Sequence, residues 1–397
     1  MKALFVENRL DRFAAGMAAK MVSRMAAMGP LSPVRYLSVP EPALPGPRWL
    51  KVRNRACGLC GTDVHLMTLD LDPRSFPAAL PGLPRVYLGH EALAVVEEVG
   101  AEAEGFAPGD RVAVRIDWPS CAQMEISPPC PRCAEGAYML CENLGRVPLP
   151  RDTGGGFSTR SVLHRSQPFV LSSALSDDQA LLLEPAAVAV HAVLRSLPEA
   201  GESVLVIGAG TIGLLTVAAL RHLAPDADVR VLARHRFQAD AAEALGARVI
   251  PGGGDLYRRM AADTGARYVR GHLGNEILLG GFDAVFDTVG SDASLQDALR
   301  WVRGRGRLVL VGVNMAPGKV DYSPVWHQEI TVIGVNSHAT EADGRTSFDH
   351  AVELLVASPA LPGLLLTHRF PVARWKDAVR AFLDKKASRA IKIVLEH

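Results

Sequence analysis

Two stretches hold side chains that could do metal chemistry together: Cys57-Gly-Leu-Cys60-Gly-Thr-Asp-Val-His65, and Gly89-His90-Glu91. A thiolate, an imidazole and a carboxylate are ligand types that zinc takes, and a catalytic zinc uses three of them and keeps a position for water or substrate. Cys60 and His90 stand too far apart to meet on one helix, so folding must bring them together. Each taken singly also has an inert reading. A lone cysteine is commonly a small core residue, and a lone histidine a hydrogen-bonded packing residue.

A second chemistry lies later in the chain. Gly208-Ala-Gly210-Thr-Ile-Gly213 follows the apolar run Ser203-Val-Leu-Val-Ile207 and opens a helical stretch reaching Leu223. A further apolar run covers Val229 to Ala233. Strand, glycine turn, helix and second strand are the context that a dinucleotide fingerprint needs. The glycines admit a tight turn and the approach of a pyrophosphate to the helix N-terminus. A chain that binds NAD places an acid at the end of the second strand, for the ribose 2′-OH. Here Ala233 holds that place, followed by Arg234, His235, Arg236 and Phe237. No carboxylate would repel a 2′-phosphate, and guanidinium groups pair well with phosphate. The turn therefore predicts NADP(H) over NAD(H). The alternative is that the arginines decorate a solvated helix start.

The six cysteines stand at 57, 60, 121, 130, 133 and 141, with none beyond. In a long chain without a secretory signal, such clustering favours metal or catalysis over disulfides. The start of the chain meets Glu7, Arg9, Asp11 and Arg12 too soon for a signal-peptide core. The uncharged run Ser203 to Leu220 is long enough to suggest a membrane span, but its glycine pattern reads better as buried strand, turn and helix. Composition narrows the field further. The 397 residues carry 43 Lys+Arg against 42 Asp+Glu, a formal charge of +1. That balance gives no reason to expect nucleic acid or an anionic membrane as partner. The expectation is a soluble, cytoplasmic protein.

The elements that must position these residues fall into two rhythms. The first third reads as short β segments punctuated by Pro and Gly: Trp49 to Ala56, Leu88 to Val99 and Arg111 to Ile116. From about residue 202 strand and helix alternate, with further strands expected at Phe282 to Asp287, Leu308 to Val313 and Glu329 to Val335. That alternation predicts a doubly wound parallel sheet. Helices are expected near 346–357 and 373–385, and a last strand at Ala390 to Leu395. Residues 11–28 place Met17, Met21, Met25 and Met28 at helical spacing. This predicts one helical face packed on the body or on a neighbouring subunit, the alternative being a substrate lid or partner groove.

In family order, the stretches Cys-Gly-Leu-Cys-Gly-Thr-Asp (57–63), Gly-His-Glu (89–91), Gly-Asp-Arg-Val (109–112), Leu-Glu-Pro (183–185), Gly-Ala-Gly-Thr-Ile-Gly (208–213), Phe-Asp-Thr-Val-Gly (286–290) and Ala-Ile-Lys-Ile-Val-Leu (390–395) span nearly the whole chain. Together they resemble the zinc-dependent medium-chain dehydrogenase/reductase superfamily, which includes alcohol, sorbitol, threonine and glucose dehydrogenases. The resemblance implies an α/β fold: a GroES-like β-rich catalytic domain (1–185, completed by 337–397) enclosing a Rossmann dinucleotide-binding domain (186–336). It implies Cys60, His90 and Glu184 as catalytic zinc ligands, with Glu91 coordinating or approaching the metal and Asp63 orienting His90. Thr62 and His65 match the family's proton-relay positions. Gly208, Gly210, Thr211, Ile212 and Gly213, with Thr288, Val289, Val311, Gly312, Val313 and Lys392, match its nucleotide positions.

Cys130, Cys133 and Cys141 resemble the family's structural zinc lobe, whose first cysteine is replaced here by Ser127. Three readings stay open: a four-thiolate site completed by Cys121, a weakened three-thiolate site, or an empty lobe. The departures are the Met-rich N-terminal insertion and an extended stretch at 266–281. The implied activity is zinc-dependent hydride transfer between NADP(H) and a small alcohol or carbonyl substrate, a polyol, sugar or amino alcohol, by a homodimer or homotetramer. The alternatives are an NAD-dependent zinc alcohol dehydrogenase, a zinc-free quinone or enoyl reductase, and a non-catalytic NADPH-binding protein.

Overall fold

The computed structural model describes the whole chain except Pro81, residues 116–118, Pro317 and the side chain of Pro77. The expected strand end at Ile116 lies outside the described residues. The chain divides into two compact units: Met1–Glu184 with Leu355–His397, and Pro185–Leu354.

The first unit supplies β1 (Lys2–Glu7), β2 (Val34–Ser38), β3 (Trp49–Gly58), β4 (Arg85–Tyr87), β5 (Glu91–Val99), β6 (Arg111–Val114), β7 (Arg160–His164) and β8 (Pro168–Val170). The second holds β9 (Ser203–Ile207), β10 (Asp228–Ala233), β11 (Arg248–Pro251), β12 (Arg267–Arg270), β13 (Glu276–Leu279), β14 (Phe282–Asp287), β15 (Val302–Leu310) and β16 (Thr331–Gly334). The chain then returns to the first unit for β17 (Leu366–Pro371) and β18 (Lys392–Glu396).

In the first unit, β17-β18-β3-β5-β6-β8 form one sheet with β7 also on β3, and β2-β1-β4 form a small second sheet. Alternation explains β3: Leu50 and Val52 are buried while Arg53 and Arg55 face outward. Its register sets the site. Gly58 pairs with Glu91 of β5 on one side and with Val394 of β18 on the other. The end of β3, the start of β5 and the C-terminal strand therefore lie side by side inside the sheet.

The second unit is a parallel sheet in the order β11-β10-β9-β14-β15-β16. By chain order that is 3-2-1-4-5-6, the doubly wound dinucleotide-binding arrangement. Val204, Leu205 and Val206 at its centre are fully buried, as expected for a strand covered on both faces. The apolar run that could have suggested a membrane span is β9, its turn and the helix Thr211–Leu223. Among the described residues no helix is long and apolar enough to cross a membrane. The stretch at 266–281 forms an antiparallel hairpin, β12 with β13.

The methionine segment departs from the expectation of one helical face. Helix α1 spans Leu10–Lys20 and stops there, and only a single 3₁₀ turn forms at Ala26–Met28. Met28 is buried and Met25 packs against the core, whereas Met21 is 91% exposed. The break comes where Lys20 reaches across to Leu69 and Asp70. That anchors the helix end instead of extending it.

Candidate active site, nucleotide turn and cysteine lobe

Helix α2 (Gly61–Met67) begins directly after β3, with Cys60 as the residue that caps it. Glu91 opens β5, the next strand over, and His90 stands immediately before it. Folding thus brings Cys60, His90 and Glu91 together, with ligand-type atoms all within 4.8 Å of one another. Asp63 ties the two segments. One carboxylate oxygen accepts from the Cys60 amide (3.1 Å) and the other from the Gly89 amide (3.0 Å). Its distance to His90 Nδ1 is 3.9 Å, too long for a hydrogen bond. Asp63 therefore aligns the backbones that carry the two ligands. Burial pushes its carboxyl up, against the pull of His90 and of those two amides. Thr62 Oγ1 lies 3.7 Å from Cys60 Sγ, and His65 sits one turn further along α2.

The resemblance puts Lys392 among the nucleotide positions. In the structure its ammonium is buried in the first unit, ion-paired with Glu91, and also approaches Leu59 O at 3.4 Å. Burial alone would lower its pKa, but Glu91, Cys60 and Glu184 together raise it. Glu184, near the start of the helix Leu183–Leu194, lies outside the 4.8 Å cluster yet within electrostatic reach of Lys392. Gly58 makes room for the pair, since a Cβ there would run into Glu91 Oε2 and Lys392 Nζ. No spacing rule pointed to the Glu91–Lys392 pair, because a strand register far along the chain creates it. Glu91, Cys60 and Glu184 thus all act on one buried ammonium. Buried charges persist when they are paired or coordinate a metal. The donor set of sulfur, imidazole and carboxylate suits zinc.

In the second unit the fingerprint forms as a tight turn. Gly208 adopts φ +96°, a left-handed conformation that glycine tolerates. A Cβ on Gly213 would collide with Gly208 O, which explains the third glycine. Thr288 Oγ1 donates to Ile207 O (2.8 Å) and to Gly208 O (3.2 Å). Gly290 and Gly312 approach so closely that a Cβ on either would strike the other's backbone. Asp287 holds this turn by accepting from the amides of Val289 (2.9 Å) and Gly290 (3.2 Å). The structure therefore gathers Gly208, Gly210, Thr211, Ile212, Gly213, Thr288, Val289, Val311, Gly312 and Val313 at the C-terminal ends of β9, β14 and β15.

At the end of β10 the two arginines separate. Arg236 is bound to its own helix, at 2.7 Å from Asp240 and 3.4 Å from Glu243. Arg234 is exposed and has no partner among the described residues. His235 stacks on Phe237 with ring centroids 5.5 Å apart.

The cysteine lobe closes around Cys121. The sulfurs of Cys121, Cys130, Cys133 and Cys141 lie within 4.8 Å of one another. Amide donors surround them: Cys130 N and Asn143 Nδ2 reach Cys121 Sγ at 3.3 and 3.2 Å, and Glu142 N reaches Cys130 Sγ at 3.4 Å. Burial raises the Cys130 thiol, but the Cys133 and Glu142 amides outweigh it and hold it below the usual thiol range. Four convergent sulfurs, one of them poised as a thiolate, fit a tetrahedral structural zinc. The loop from Cys121 to Cys130 brings the Cys121 sulfur beside the other three.

Residues 46–172 match the alcohol dehydrogenase GroES-like domain and residues 211–357 the zinc-binding dehydrogenase domain. The chain is 28% identical over 368 residues to L-idonate 5-dehydrogenase of Vitis vinifera, covering 91% of this chain and 92% of that one. It is similar to the crystal structure of 2R,3R-butanediol dehydrogenase from Bacillus subtilis, at 25% identity and TM-score 0.73, covering 100% of this chain and 99% of the other. A putative zinc-binding dehydrogenase from Sinorhizobium meliloti 1021 bound to NADP shares 28% identity and TM-score 0.66, over 92% of this chain and 95% of that chain. The GroES-like and dinucleotide-binding halves, in this order and with this cluster and turn, place the chain in the medium-chain dehydrogenase/reductase superfamily.

Proposed function

We propose that this chain is a zinc-dependent oxidoreductase that moves hydride between NADP(H) and a secondary alcohol or its ketone, on a polyol, sugar or amino-alcohol substrate. The observation that carries the reading is the convergence of Cys60, His90 and Glu91 from two strands, in a chain that also builds a dinucleotide turn. Zinc held by Cys60 and His90, with Glu184 and Glu91 as carboxylate partners, would polarise the substrate oxygen, and the nicotinamide would exchange the hydride. The chain's own groups do the rest. Asp63 fixes the ligand backbones. Thr62 and His65 would carry the alcohol proton outward, an imidazole being able to accept and release a proton. Arg234, exposed and without a partner among the described residues, would meet the 2′-phosphate.

The substrate class is supported by relatives named for polyhydroxy and vicinal-diol substrates. The test is NADP⁺ and NAD⁺ reduction with sorbitol, L-idonate, 2,3-butanediol and L-threonine, before and after chelation and zinc restoration. Turnover that is lost on chelation and regained with zinc, with kcat/KM higher for NADP⁺, is the expected result. Turnover indifferent to chelation would defeat the zinc reading, and a ratio favouring NAD⁺ the cofactor reading.

A further inference from the structure

Residues 8–33, between β1 and β2, belong to neither the metal cluster nor the nucleotide turn. Yet they press on the segment that ends helix α2, which carries Thr62 and His65. Gly16 of α1 is buried there, and a Cβ on it would come within 2.7 Å of Leu69 Cδ1. Lys20 Nζ donates to Leu69 O at 2.7 Å and pairs with Asp70 at 2.5 Å. Arg24 approaches the other Asp70 oxygen at 3.5 Å. Asp70 in turn donates its amide to His65 O at 2.8 Å and accepts from Thr68 Oγ1 at 2.8 Å. His65 Nδ1 is buried without a hydrogen-bond partner among the described residues. The charges acting on His65 are Asp70, from the segment after its own helix, and Arg24 and Lys20 from the insertion.

We propose that the insertion is a positioning element for the proton relay: Lys20, acting through Asp70, holds the segment that closes α2 and sets the charge facing His65. This rests on the reading of His65 as a relay residue. The physical logic is charge balance. Burial lowers the His65 pKa, Asp70 opposes that, and Arg24 and Lys20 reinforce it. Asp70 stays ionised, because the Lys20 and Thr68 hydrogen bonds hold its carboxyl down although burial pushes it up. Without the two cations its charge would face His65 unneutralised, and the imidazole would keep its proton to higher pH. A relay group must release the proton it accepts, so neutralising Asp70 keeps His65 ready to discharge.

The test is an NMR titration of the full-length, zinc-loaded protein with ¹³C-labelled histidine. His65 is assigned by the signal missing in His65→Gln. Lys20→Met and Arg24→Gln should each raise the His65 pKa by roughly half a unit, and Asp70→Asn should lower it similarly. Lys20→Arg should restore the parent value. Arg24→Gln alters an exposed side chain, so it reports even if Lys20→Met fails to fold. A shift below about 0.2 unit in the folded variants, or one of opposite sign, overturns the proposal. The pH profile of 2,3-butanediol oxidation with NADP⁺ separates the two readings. If His65→Gln leaves its acid limb in place, the relay reading fails. If that limb vanishes in His65→Gln but Lys20→Met and Arg24→Gln do not move it, the positioning role fails.

Discussion

Replacing Lys392 by methionine should be among the most damaging single changes in the first unit, and metal should partly reverse it. Methionine keeps the length of the stem and removes only the ammonium. Both side chains of the Glu91–Lys392 pair are nearly inaccessible, at 3% and 2% exposure. Removing one partner of a buried pair leaves an uncompensated charge, which costs about 3–5 kcal/mol. For a unit of this size each kcal/mol corresponds to roughly 2–4 °C, so the midpoint of thermal unfolding should fall by about 10 °C. The assay is calorimetry of chelator-treated protein, parent against Lys392→Met. Two controls follow from the same reasoning. Glu91→Gln combined with Lys392→Met removes both charges and should recover much of the loss. Zinc should stabilise Lys392→Met more than the parent, because the stranded carboxylate stands within 4.8 Å of Cys60 and His90 and gains a cation there. A fall of less than about 2 °C, or a double variant no better than the single one, would refute the view that this pair is the principal charge balance of the buried cluster.

Three further outcomes are expected. Cys121→Ser should lower zinc content by about one equivalent per chain by elemental mass spectrometry. Unchanged zinc would remove Cys121 from the lobe's ligand set. Arg234→Ser should raise KM for NADP⁺ about 10–100-fold, the loss of one charge-assisted phosphate contact, and leave KM for NAD⁺ nearly unchanged. Equal effects on both cofactors would show that Arg234 does not read the 2′-phosphate. The third outcome concerns pH. His164 is buried, packs edge-on to Trp49, and has its Nε2 3.6 Å from Glu125 Oε1. Burial lowers its pKa, so the unfolded chain binds its proton more readily than the folded one. Stability should then decline as pH falls below the unfolded value of about 6.5. In His164→Gln the midpoint of thermal unfolding should vary less between pH 7.5 and 5.5, and an unaltered slope would exclude His164 as a source.

Much of the fold was legible because its signals are local. Phe282–Asp287 forms the strand expected there, its buried Ala284-Val-Phe286 stretch giving the apolar signal of a strand covered on both faces. The fingerprint turn was legible for the same reason: three glycines, a strand and a helix lie within one short stretch. The methionine segment misled because helical spacing persists past the point where the helix stops. Nothing in the periodicity shows that Lys20 turns away to bind Leu69 and Asp70, some fifty residues onward. Cys121 is the intermediate case. Its residue type was informative, but only the folded loop between Cys121 and Cys130 decides whether its sulfur joins the others.

The arrangement around Lys392 shows why the rest stayed hidden. Residue types and the family resemblance named Cys60, His90 and Glu91 as donors, but a donor set does not reveal its counter-charge. That charge comes from β18, brought beside β3 by the pairing of Val394 with Gly58, and it reaches Glu91 because a glycine stands where any side chain would block it. Gly58, Glu91 and Lys392 thus form one device assembled from three strands, each uninformative alone. The device also bears on how the cluster would answer a metal. Glu91 is already satisfied by a lysine, so an incoming cation competes with an existing buried ion pair instead of filling a vacant carboxylate. Metal affinity should then rise in Lys392→Met even as the metal-free fold weakens. Isothermal titration with zinc, compared between parent and variant, measures that opposition, and parallel losses of affinity and stability would show that Lys392 supports the site without competing for Glu91.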